Sequence, residues 1–180
     1  MSLKSKYNIE FKGLKEGLHD YQFEVNDKFF EHFEESLVDN GEVNVEVKLE
    51  KRSAFLKLSF ALEGWLELVC DRCLDNYQQD VSLETELFVK FGEEDEFEEG
   101  DNVIWVLPEE HAINLAQIIY EYVTLSIPLR HVHPEESGEN GCNQEMIDRL
   151  NNITQFDADD DEEEEIDPRW AALKNLKNNN

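Results

Sequence analysis

The sequence predicts an α+β domain: an antiparallel β-meander, flat or curled into a partial barrel, packed by one long and one short helix. Behind it the sequence predicts an acidic low-order tail that ends in a further short helix. Three observations carry this reading. Apolar residues alternate with polar ones through the centre of the chain, the mark of half-buried strands. A later apolar stripe recurs at spacings of three and four, the mark of a helix lying on a core. Strands and helices do not alternate in a βαβ rhythm, which argues against a parallel sheet.

Taken in order, KYNIEF (6–11) and HDYQFEV (19–25) are extended segments separated by Gly13 and Gly17, and they read as an opening strand and hairpin. In FFEHFEESLV (29–38), Phe29, Phe30, Phe33 and Leu37 form an amphipathic helix, with Asn26 or Asp27 as its cap and Asn40-Gly41 as its stop. VNVEVKL (43–49) and FLKLSF (55–60) alternate strictly, WLELVC (65–70) continues with Trp65, and VSLETELFVKF (81–91) alternates from Val81 to Phe91. These make the meander, one face dry and one wet. NVIWVL (102–107) adds a strand. In NLAQIIYEYVTLSIPL (114–129), Leu115, Ile118, Ile119, Tyr122 and Val123 form the helical stripe, which Pro128 ends. That helix is expected to lie across the sheet.

Composition then divides the chain. Residues 1–134 read as a single domain, 135–166 as an acidic low-order linker poor in apolar residues, and 167–177 as a short helical motif. At 180 residues the chain has the size of one domain with a tail. Its 43 acidic and 16 basic residues give a formal charge of −27, much of it in EEDEFEEGD (93–101) and DADDDEEEEID (157–167). Nucleic-acid affinity rests on cations that displace counterions from phosphates, so extended direct RNA binding is disfavoured and a basic protein partner is favoured. No apolar run reaches transmembrane length, and MSLKSKYNIEF has neither the apolar core nor the cleavage site of a signal peptide, so a cytoplasmic location is expected. Three cysteines cannot all pair within one chain, and a reducing compartment leaves them as thiols.

Cys70 and Cys73 stand between two strands in LVCDRCLDNY. A turn there can aim both sulfurs at one point, as half of a tetrahedral zinc site. The segment RHVHPEESGENGC (130–142) offers His131, His133 and Cys142, so that Cys70, Cys73, His133 and Cys142 would complete a set of three thiolates and one imidazole. Two other readings stand beside zinc: a redox pair activated by Arg72, and a structural turn in which Cys70 serves as a small apolar residue.

No Gly-rich phosphate loop, G-x-S-x-G elbow or H-E-x-x-H motif is present, so nothing in the sequence argues for an enzyme. The terminal DPRWAALKNLK (167–177) carries clear helix signals: Asp167 as cap, Pro168 at the first turn, and Lys174 and Lys177 at the C-terminal end of the dipole. Trp170, Leu173 and Leu176 share one face. About ten residues cannot hold a helix alone in water, so this one must dock, on its own domain or on another protein. Asp167, Pro168, Arg169, Trp170, Leu173 and Leu176 are its candidate contact residues.

CDRCL between strands, SIPLRHVHP after a long helix, Cys142 beyond it, and DPRWAALKNL near the end occur in the order seen in the YceD-like family of large ribosomal RNA subunit accumulation proteins. The sequence resembles that family over about residues 10–177. The resemblance implies a role in 23S ribosomal RNA accumulation or processing and in large-subunit assembly. Many relatives carry a second cysteine pair after the helix, where this chain has Cys142 with His133 nearby, so a mixed cysteine and histidine site is the form open to it. Together with the charge, the resemblance points to an assembly factor acting through a basic ribosomal protein or an rRNA-processing or assembly factor. The alternatives are a metal-dependent rRNA-processing enzyme and a structural zinc-knuckle interaction module.

Overall fold

In the central strands, most alternate residues are valine, leucine or phenylalanine, and the chain buries that face. The other face is mostly Glu, Lys, Ser and Asn, with a few apolar residues such as Trp65 and Val69 among them. In a computed structural model, which describes residues 6–34, 36–92, 102–134 and 141–158, seven strands and three helices are built on this alternation. They are β1 (Asn8–Glu10), β2 (Gly17–Val25), α1 (Asp27–Phe30), β3 (Gly41–Lys51), β4 (Phe55–Val69), β5 (Asn76–Phe91), β6 (Val103–Val106), β7 (Ala112–Asn114), α2 (Ala116–Leu125) and α3 (Gln144–Ala158). The main sheet has five strands in the order β2-β3-β4-β5-β6, and β1 and β7 form a separate pair.

The fold is therefore α+β with mostly antiparallel pairing, as the alternation predicts. The sheet is open, with β2 and β6 as its edges, and no closed barrel forms among the described residues. Three local expectations need correction. FLKLSF and WLELVC are one 15-residue strand, because the even positions keep facing the core from Leu56 to Leu68. β1 does not form a hairpin with β2; it pairs antiparallel with β7, Asn8 opposite Asn114. And β6 joins β5 in parallel, Phe88 opposite Val103, so the sheet is not a pure meander.

Gly64 lies on the core face in the middle of β4, opposite Val43 and Val81. A Cβ there would collide with the Glu42 carbonyl oxygen and approach the Val43 Cα to 2.6 Å. Glycine is what lets β3 and β4 stay paired at this point.

α2 lies over the buried face of the sheet. Ala116, Ile119 and Val123 are buried, Tyr122 meets Phe60 edge to face at 5.0 Å, and Tyr120 stacks on Phe33 at 4.1 Å. The helix ends at Leu125, where the Ser126 hydroxyl donates to the Val123 carbonyl, three residues before the proline that sequence marks as the stop. α1 is shorter than the stretch read from Phe29 to Val38; only Asp27–Phe30 is helical, and Asn26 caps it without a side-chain hydrogen bond. Phe29 and Phe30 still enter the core. Tyr7 is buried against Phe23 and Phe29, and its hydroxyl donates to the Glu24 carbonyl at 2.7 Å, tying β1 to β2. Burial pushes the Tyr7 pKa up to about 12, helped by the charge of Glu24.

No helix among the described residues is long and apolar enough to cross a membrane. Segment 167–177 lies outside the described residues, and so do 93–101, 135–140 and 159–166. Within the stretch read as a linker, 141–158 is described: Cys142 is buried, and a 15-residue helix, α3, follows it.

Candidate metal centre

β4 and β5 are joined by Cys70–Asp75, and this connection is a tight knuckle. The Leu74 amide donates to the Cys70 carbonyl, and the Cys70 amide donates to the Asp75 carbonyl, both at 2.9 Å. The Arg72 amide points at Cys70 Sγ from 3.4 Å. Leu74 adopts φ of 65°, a left-handed conformation that costs a side-chain-bearing residue roughly 1 kcal/mol. This bend brings Cys73 back beside Cys70, and both side chains are fully buried.

The segment after α2 runs alongside the knuckle. The Asp71 amide donates to the His131 carbonyl at 2.6 Å, and the His131 amide donates to Asp71 Oδ2 at 2.8 Å. Two residues further on, the His133 ring packs on Tyr77, with centroids 5.0 Å apart and planes at 35°. Cys142 arrives from the start of α3. Asn143 caps that helix through Oδ1, which accepts from the Glu145 and Met146 amides, and its Nδ2 donates to Asp75 Oδ2 at 3.1 Å. One turn of backbone, one stretch after a helix and one helix N-terminus thus converge.

Their ligand atoms lie within 4.8 Å of one another. Cys70 Sγ is 3.8 Å from Cys142 Sγ, and His133 Nδ1 is 3.6 Å from Cys73 Sγ and 3.7 Å from Cys142 Sγ. A metal–sulfur bond of about 2.3 Å and a metal–nitrogen bond of about 2.0 Å, set at tetrahedral angles, give edges of about 3.8 Å between sulfurs and about 3.5 Å between sulfur and nitrogen. The three separations match those edges closely. They are far too long for a disulfide, whose sulfurs lie about 2.05 Å apart, and all three cysteines are free. Cys70, Cys73, His133 and Cys142 can bind a metal ion.

Burial raises the Cys70 thiol pKa, but the amides of Cys73 and Arg72 and the hydrogen bonds of His133 outweigh it and hold the pKa down at about 6. Cys142 moves the other way, raised by burial and by the two neighbouring sulfurs. A lowered thiol pKa also suits redox chemistry, yet Cys70 and Cys73 expose no surface to a substrate, and reactive cysteines are partly open. Closed access and tetrahedral spacing favour coordination.

Sequence alone named these four residues but left their convergence open, because sequence spacing could not close the gap between His133 and Cys142. It also offered His131, which stands outside the cluster and serves through its backbone. Three supporting residues went unnoticed. Asn143 was readable, as an Asn just before a helical stretch; Asp71 and Tyr77 act across the fold and leave no local signal. The predicted contact residues Asp167, Pro168, Arg169, Trp170, Leu173 and Leu176 lie outside the described residues.

The chain is 28% identical over 135 residues to a Bacillus subtilis (strain 168) protein named uncharacterized protein YlbN, covering 74% of this chain and 73% of the relative. No solved structure matches it. The sequence model of the family described as large ribosomal RNA subunit accumulation protein YceD matches residues 58–177, a span that starts later than the resemblance read from the motifs and contains all four candidate ligands. The chain belongs to the family of the large ribosomal RNA subunit accumulation protein YceD.

Proposed function

We propose that the chain is a non-catalytic ribosome assembly factor that supports 23S ribosomal RNA accumulation through protein partners, on a body closed by one structural zinc ion. The family match over residues 58–177 carries the reading. Zinc suits three thiolates and an imidazole at tetrahedral spacing, and four protein ligands leave none of the open positions a catalytic zinc keeps. What zinc would supply is a crosslink between the β4–β5 knuckle, the segment after α2 and the start of α3.

The preference for protein partners rests on charge. A net −27 repels phosphate backbones, whereas a basic ribosomal protein, or a processing or assembly factor with a basic surface, is drawn to it.

The test is retrieval from cells followed by binding in vitro. The full chain is expected to retrieve large-subunit proteins or assembly factors, and depleting it is expected to lower mature 23S rRNA. Salt-sensitive binding to naked 23S fragments, with no binding to any large-subunit protein, would overturn the reading. Metal-dependent cleavage of precursor RNA by the purified chain would replace it with the enzymatic alternative.

A further inference from the structure

The knuckle and the end of α2 enclose an apolar cleft. Leu37, Val69, Leu74, Ile127 and Leu129 line it, with Asp71 at its side, and its volume is about 530 Å³. That lies within the usual range for clefts that take a compact apolar group. Leu37, Leu74 and Leu129 leave most of their surface open, at 74%, 66% and 105%. Large apolar side chains gathered in this way signal an occupant.

We infer that the occupant is the chain's own terminal segment 167–177, seated with Trp170, Leu173 and Leu176 in the cleft. Three observations select it. First, the segment has the complementary surface: an aromatic and two leucines on one helical face, in a stretch too short to be helical without a partner. Arg169, Lys174 and Lys177 bring three cations to an otherwise acidic molecule.

Second, the chain can reach. Cys142 and Asn143 anchor the start of α3 beside the same knuckle that walls the cleft. The 15 residues of α3 carry the chain about 22 Å away. The eight residues 159–166 can span up to about 28 Å, more than the length of α3, so they can bring the segment back toward the knuckle. A tether this short presents the segment at an effective concentration on the order of millimolar, which lets weak apolar contacts hold it.

Third, the family match runs from residue 58 to residue 177, so it takes in most of the cleft-lining residues and stops where the segment stops. The knuckle would then have two roles: Cys70 and Cys73 offer ligands to a metal, and Asp71 and Leu74 help wall the cleft. A protein partner that takes up the segment would have to lift it from the cleft first.

The experiment keeps the full chain. Trp170 is replaced by a benzophenone-bearing phenylalanine, the protein is irradiated at low micromolar concentration, and the crosslinked peptides are mapped by mass spectrometry. The expected result is a crosslink within one chain to 68–74 or 125–131, reduced at least tenfold by the exposed-site changes Leu74→Asp and Leu129→Asp together. Crosslinks only between two copies, crosslinks elsewhere on the body, or none would overturn the inference. None of those outcomes touches the proposed assembly role, which is read from retrieval and 23S levels.

Discussion

The central sheet and the cysteine end of the molecule are held by different means. In β3, β4 and β5, consecutive strands pair with their sequence neighbours, and one face of each contributes Val, Leu or Phe to the core at nearly every turn of the pleat. At the cysteine end, residues 70 and 142 meet across the fold, where Cys70, Cys73 and Cys142 extend the apolar core into a cluster of four possible metal ligands. Many redundant contacts make the first region tolerant of losing one side chain. Four ligands shared by one ion would make the second fail as a unit.

The largest effect should come from a place where the sheet has no room to give. Gly64→Val puts a branched side chain into the β3 backbone, and a loss of about 4 kcal/mol or more is expected, read as loss of cooperative unfolding or of soluble protein. Normal stability in this variant would mean that β3 and β4 are not in the register described.

Next comes the metal end. Cys73→Ser compared with the native chain in excess zinc, or chelation of the zinc-loaded native chain by an excess of chelator, should lower stability by about 3–4 kcal/mol. Amide exchange should rise at least tenfold across 131–134 and 141–147 while β3 and β4 stay protected. Uniform loosening of both regions would erase the contrast between them.

Much of this difference was legible in the residues themselves. Period-two alternation exposed β3, β4 and β5, since a half-buried strand must alternate. The β1–β7 pair escaped because each strand has three residues and its partner lies about a hundred positions away, beyond any local pattern. The parallel placement of β6 escaped because alternation reports a strand's faces and not its direction. The four ligands could be named from their chemistry, whereas their meeting depends on Asp71 gripping the His131 amide and on Asn143 reaching Asp75.

A smaller effect probes how β1 is fastened. Tyr7→Phe removes the hydrogen bond to Glu24 and should cost about 1 kcal/mol at neutral pH. Because folding raises the Tyr7 pKa from 10.0 to about 12, its contribution is complete below pH 10 and is lost as the pH climbs through 12. The gap between native and variant should therefore narrow over that window in denaturant titrations; a constant gap would mean that the hydroxyl is not buried.

The smallest effect belongs to Leu74. Leu74→Gly relieves a left-handed side-chain conformation, against the entropy glycine adds to the unfolded chain, and should change stability by less than about 1 kcal/mol. Zinc binding should persist in this variant. Loss of binding would show that the leucine, and not the backbone bend, shapes the knuckle.

Native mass spectrometry of the full chain with equimolar zinc is the most direct test of the four-ligand centre. One tightly held ion per chain is predicted, absent from Cys70→Ser and unaffected by His131→Ala. A native chain that takes up no zinc, or one whose zinc survives Cys70→Ser unchanged, would contradict the account.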